Sequence, residues 1–207
     1  MIAPVRSAVA EPKGDHSAPG WGHRVTLVDL AEHRNNVAIT AATTTGTGRL
    51  NVWGNSLPAD QMAINSRIVI EGVPFDFPDA GHGEADNVCC QGQFIRLPPG
   101  RYDWLYLLVC AERRVEDEIA FHFSDGAVDF EALRVSDFWA AEPAFGETAA
   151  ITTTRMHYPH HVQDRVPGMI WCQRVPVVRR AELVAARLPD HVGVHVFAAT
   201  LCAQGLG

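Results

Sequence analysis

The run Trp104-Leu105-Tyr106-Leu107-Leu108-Val109-Cys110 is apolar at odd and even positions alike, and it constrains the fold more than any other stretch. A strand turns successive side chains to opposite faces, so a strand of this composition needs cover on both. The neighbouring runs alternate instead. In Gln93 to Leu97, Phe94 and Arg96 face one way while Ile95 and Leu97 face the other. Pro98-Pro99-Gly100 is expected to end that run, because proline cannot donate to a ladder. In Glu118 to Ser124, Ile119, Phe121 and Phe123 oppose Ala120, His122 and Ser124, and Asp125-Gly126 follows as a turn signal. Three successive β runs with no helix between them predict an antiparallel all-β core.

The rest of the chain fits that core. Residues 1–22 are rich in Pro, Gly, Ala and Ser and read as a flexible arm, with residues 23–207 as one domain. Strands are expected at Arg24 to Leu30, Val37 to Ala41, Leu50 to Trp53, Ile68 to Ile70, Val73 to Phe77, Ala127 to Val135 and Met169 to Val178. A last one begins at Asp190, where Val192, Val194 and Val196 alternate with Gly193, His195 and Phe197, and ends near Cys202. Glu182 to Leu188 permits a strand or a short helix. Asp60 can cap one helical turn through Met62 to Asn65. Ser136 to Gly168 reads as the longest irregular part, interrupted by Ile151 to Met156, and long connections often carry function. About ten short strands with little helix predict an antiparallel β-sandwich or jelly roll.

Composition narrows the partners. The formal charge is −7 and pI is near 5.8, which argues against gripping nucleic acid through its phosphates. No apolar run is long enough to span a bilayer, and the N-terminus lacks the apolar core of a signal peptide, so a soluble cytoplasmic protein is expected. The five cysteines include no CxxC and several fall inside apolar runs, as reduced thiols packed like small hydrophobes do.

Several segments together resemble a known module. VDLAEHRNNVAIT leads through a strand-rich segment to GVPFDFP, then ADNVCCQGQFIRLPPGRYDWLYLLVCA, FHFSDG, a tryptophan-bearing loop and LPDHVGVHVFAATL. This order is similar to that of the β-sandwich modules found beside catalytic domains in bacterial glycoside hydrolases, with their DNV-x-x-x-GQ-x-I-x-LP core. The likeness spans roughly Val28 to Leu201. It implies a galactose-binding-like sandwich with a role near carbohydrate, and it transfers no functional residue.

Candidate sites follow from residue chemistry. Trp53 beside Asn55, and Trp139 beside Asp137, join an aromatic face to hydrogen-bonding groups, the combination that sugar rings require. Trp104 and Trp171 lie in strand runs and read as core. Asn87 and Gln93 can bond a ligand, or hold backbone at a strand entry. His157-Tyr158-Pro159-His160-His161 places three imidazoles close together, so His157, His160 and His161 are candidates for a divalent metal ion or for acid–base catalysis, with Tyr158 adding an aromatic face. Its spacing matches no metal signature. His122 and His195 sit on strands from which either can reach a cleft.

Three functions are thereby open. The first is a carbohydrate- or small-molecule-binding sandwich. The second is a stand-alone hydrolase, lyase or cyclase using the histidine loop. The third is a subunit that pairs with a partner, a homodimer included, through an open sheet edge.

Overall fold

The all-apolar run becomes a strand in the interior of a six-stranded sheet. The structure is a computed structural model, and it describes residues 23–204; the expected arm at residues 1–22 lies outside them. In chain order the strands are β1 (His23–Val28), β2 (Ile39–Thr40), β3 (Leu57–Pro58), β4 (Arg67–Ile70), β5 (Val73–Asp76), β6 (Val88–Cys89), β7 (Phe94–Gly100) and β8 (Trp104–Ala111). They continue as β9 (Val115–Phe123), β10 (Val128–Val135), β11 (Thr148–Thr152), β12 (Arg155–Tyr158), β13 (His161–Asp164), β14 (Met169–Pro176), β15 (Leu183–Arg187) and β16 (Val194–Gln204). The helical residues among those described form short 3-10 turns at Ala31–His33, Thr45–Thr47 and Ala59–Gln61. No helix among the described residues is long and apolar enough to cross a membrane.

This is an all-β sandwich with an added layer. The central sheet runs β1-β16-β8-β14-β11, with β6 also paired to β16, and the second sheet runs β10-β9-β15-β7. One face of β8 supplies Leu105, Leu107 and Val109 to a core shared with Ile119, Phe121 and Leu133 of the second sheet. The other face supplies Leu108 and Cys110 to a separate core with Leu50, Ile68, Phe75 and Met156. That third layer is built from the β4/β5 and β12/β13 hairpins and the parallel pair β2/β3. Both faces of β8 are therefore covered, as its composition demands. Burying a side chain such as Phe121, fully inaccessible here, stabilises by about 2–3 kcal/mol.

The structure corrects several boundaries. β7 continues through Pro98 and Pro99 to Gly100. It can do so because β7 is an edge strand, and its ladder to β15 steps irregularly from Arg96 opposite Ala185 to Gly100 opposite Leu183. The hydroxyl of Tyr102 donates to the Pro98 carbonyl at 2.9 Å. Leu50 to Trp53 is a turn and not a strand, since the Asn51 side chain captures the backbone there. The helical turn falls at Ala59–Gln61, with Asp60 inside it. Glu182 to Leu188 yields the strand β15, whose Leu183 and Ala186 face the core. The supposedly irregular stretch 136–168 carries β11, β12 and β13.

Candidate functional site

The loop between Gly48 and Ser56 projects a tryptophan from a turn that the Asn51 side chain and backbone hold together. The amide oxygen of Asn51 accepts from the N–H groups of Trp53 and Asn55, each at 3.1 Å, and the Gly54 N–H donates to the Asn51 carbonyl at 3.0 Å. Gly54 takes φ +71°, a left-handed conformation that glycine adopts without cost. The tight turn leaves Val52 82% and Trp53 58% exposed at its tip.

A second loop brings Trp139 to the same place. Asp137 bridges Ala111 at the end of β8, and its carboxylate accepts from the Trp139 N–H at 2.9 Å. The Trp171 indole donates to the Asp137 carbonyl at 3.1 Å from beneath. Phe138 turns into the core, and its ring lies 4.6 Å from that of Trp139. Trp53 and Trp139 then stack with centroids 6.4 Å apart and planes 20° from parallel. The two sequence-selected loop tryptophans meet.

On the Trp53 side of the pair lies a cleft of about 480 Å³ whose wall includes Arg49, Asn51, Trp53, Cys89, Glu112 and His195. One wall residue, His195, belongs to a buried polar network. Asp86 accepts from the N–H groups of Ala38 and Ile39 at 3.0 Å each, and the Asn87 side-chain N–H₂ donates to Asp86 at 2.8 Å and to the Asn36 carbonyl at 2.9 Å. Those two donations orient the Asn87 amide so that its oxygen faces His195 Nδ1 at 2.9 Å. The same Nδ1 lies 3.3 Å from the Asn36 side-chain N–H₂, so this ring nitrogen sits between an acceptor and a donor. Cys89 lies opposite His195 in the β6–β16 ladder, and its thiol donates to the Val192 carbonyl at 3.1 Å. Burial pushes that thiol's pKa up, away from the thiolate needed for nucleophilic chemistry. All five cysteines are free, and the other four are buried.

Burial shifts the two titrating members of this network in opposite directions. It raises Asp86 to about 6 and lowers His195 to about 4. Neutral His195 stabilises the fold fully above its ordinary 6.5. That contribution, about 3 kcal/mol, is lost as pH falls through its folded pKa. Protonated Asp86 stabilises fully below its ordinary 3.8, and its contribution is lost as pH rises through about 6. The two oppose each other in mildly acidic solution. His195→Gln is accordingly expected to gain about 3 kcal/mol relative to the wild type as pH falls from about 6.5 to about 4. Urea midpoints across that window measure it, and parallel pH profiles would show that His195 is not held neutral.

The remaining sequence candidates take other positions. Asn87 belongs to the buried network, and the Gln93 side chain donates to the Cys89 carbonyl at 2.8 Å while accepting from the Gln91 N–H at 2.7 Å. Both hold backbone. Asn55 is fully buried beneath the Trp53 turn and away from the cleft wall. The three loop histidines are not brought together as a metal or acid–base set. His157 is buried, with Nδ1 2.8 Å from the Thr40 hydroxyl, which is itself 2.7 Å from that of Ser56. Burial lowers its pKa, with Arg155 adding to the effect. His160 sits at the exposed β12–β13 turn, and His161 stacks on Tyr158 with centroids 4.9 Å apart. The cause is geometric, since strand alternation sends His157 and Tyr158 to opposite faces and Pro159-His160 reverses the chain. Among the described residues no group of three or more His, Cys, Asp or Glu side chains is arranged to hold a metal.

Sequence reasoning missed Arg49, Asn51 and Glu112. Asn51 has a local signal in hindsight, as an Asx residue three before Gly54 in a turn-rich segment. Arg49 and Glu112 have none.

No curated protein matches the chain. The model of one family, described as an AziU2-like beta-sandwich domain, matches residues 24–205, and the chain belongs to that family.

Proposed function

We propose that this protein binds a small ligand of carbohydrate type in the cleft beside Trp53 and Trp139. The observation that carries the reading is the stacked tryptophan pair, with Trp53 58% exposed on a turn that hydrogen bonds hold rigid. Val52, Trp53 and Trp139 together form an exposed apolar patch of the kind that marks binding sites, and an indole face suits the C–H patches of a sugar ring. Arg49, Asn51 and Glu112 supply planar donors and acceptors along the same wall. Asn51 is 7% exposed, and its N–H₂ has no hydrogen-bond partner among the described residues. The resemblance to glycoside hydrolase-associated modules supports the same ligand class.

The test is a melting-temperature screen against a panel of mono- and disaccharides, repeated with Trp53→Ala. A ligand at about 100 times its Kd raises stability by about 2.7 kcal/mol, which a domain of this size reports as a rise of several degrees. Trp53→Ala is expected to abolish the rise while changing the unliganded stability by less than about 1 kcal/mol, because the side chain is mostly exposed. A panel that leaves the melting temperature unchanged would contradict the carbohydrate reading.

A further inference from the structure

The four-stranded sheet has one face in the core and one outside, and the outer face carries an ordered pattern of side chains. Across it run Phe94, Arg187, Ala120 and Phe130, directly opposite one another on β7, β15, β9 and β10. Phe94 is 49% and Phe130 65% exposed, and Val128 on the next row is 40% exposed. Ala120 and Ala185 form a low floor between these bulkier groups. Charge is divided between two corners. Arg96 and Arg187 mark one, on β7 and β15, while Glu116 and Glu118 mark the other, at the far end of β9, where Glu116 also meets Arg134 at 3.2 Å.

We infer that this face is a docking surface for a second copy of the same chain. A two-fold axis lying in the contact plane between the corners sets each copy's Glu116 and Glu118 against the other's Arg96 and Arg187. Phe94 and Phe130, on the two outer strands of the sheet, are covered by the partner on either side of the charged contacts. One surface thus supplies both halves of a self-complementary contact, as an isologous dimer requires. The size suits a weak self-association. Four strands span about 15 Å and the six-residue distance from Glu116 to His122 about 20 Å along the strands. That plane is about 300 Å² per copy, about 600 Å² for two before protruding side chains enlarge it, which places the contact among weak, transient interfaces. The central sheet offers no equivalent face, because both of its faces are covered.

Sedimentation velocity on the full chain, from about 1 to about 200 µM, tests the inference through a Kd expected on the order of 10 µM. Phe130→Glu is expected to weaken association at least tenfold. Arg96→Glu weakens it less and more strongly at low salt, and the double variant R96E/E118R recovers it, since the reversed charges again face each other. All three positions are exposed, so circular dichroism and the melting temperature report an intact fold. A monomer at the highest concentration overturns the inference. So does a dimer indifferent to Phe130→Glu and to the charge reversals, which places the contact at a strand edge instead.

Discussion

Trp171→Ala is expected to destabilise the protein by about 3–5 kcal/mol, close to the largest effect available from a single side chain. Trp171 is 1% exposed and lies on β14 in the core between the central sheet and the outer layer. Its removal leaves a large cavity in a region held by short two-stranded elements, which cannot collapse far without losing their own pairing. It also withdraws the indole N–H from the Asp137 carbonyl, which positions the loop bearing Trp139. Trp171→Phe separates the two contributions. It keeps most of the volume and loses the hydrogen bond, for a cost of about 1–2 kcal/mol. Urea denaturation measures both, and an alanine variant that loses less than the phenylalanine variant would contradict the described packing.

The second large effect is at Asp86. Asp86→Ala removes the shared acceptor of two buried N–H groups, those of Ala38 and Ile39, and of the Asn87 side chain. A buried donor left without a partner costs about 1–3 kcal/mol, so the loss is expected near 4 kcal/mol. Asp86→Asn keeps one acceptor and should lose about half as much. The carboxylate also fixes Asn87, which fixes His195, so Asp86→Ala is expected to loosen the cleft wall as well. Faster hydrogen exchange at Ala38 and Ile39 in the variant is the local sign of this; unchanged exchange there would assign those amides other partners.

Much of the fold was legible because side-chain parity is a local signal. The two-faced composition of Trp104 to Cys110 required an interior strand with two cores, and the chain builds both. The alternation of Ile119, Phe121 and Phe123 placed β9 with one face inward. The expected strand at Val37 to Ala41 contains Ile39–Thr40, but parity says nothing of a strand as short as Leu57–Pro58, so their parallel pairing in the third layer was not readable. Prolines misled at β7, since whether a missing N–H matters depends on edge position, which is a property of the sheet. At the site, the exposed tryptophans stood out because they fall in turn-rich segments. Their stacking, and the gathering of Arg49, Cys89, Glu112 and His195 around one cleft, depend on segments far apart in the chain. The histidine cluster shows the converse. Neighbours in sequence were separated by strand alternation and a turn.

The most direct measurement is a ¹H–¹⁵N correlation spectrum of the tryptophan indole and asparagine side-chain resonances, recorded as sugars from the panel are added. The account predicts that the indole signals of Trp53 and Trp139 and the side-chain amide of Asn51 shift together and saturate, while those of Trp104 and Trp171 stay in place. Saturable shifts confined to residues away from the cleft, such as the exposed β12–β13 turn at His160, or none for any ligand, would contradict it.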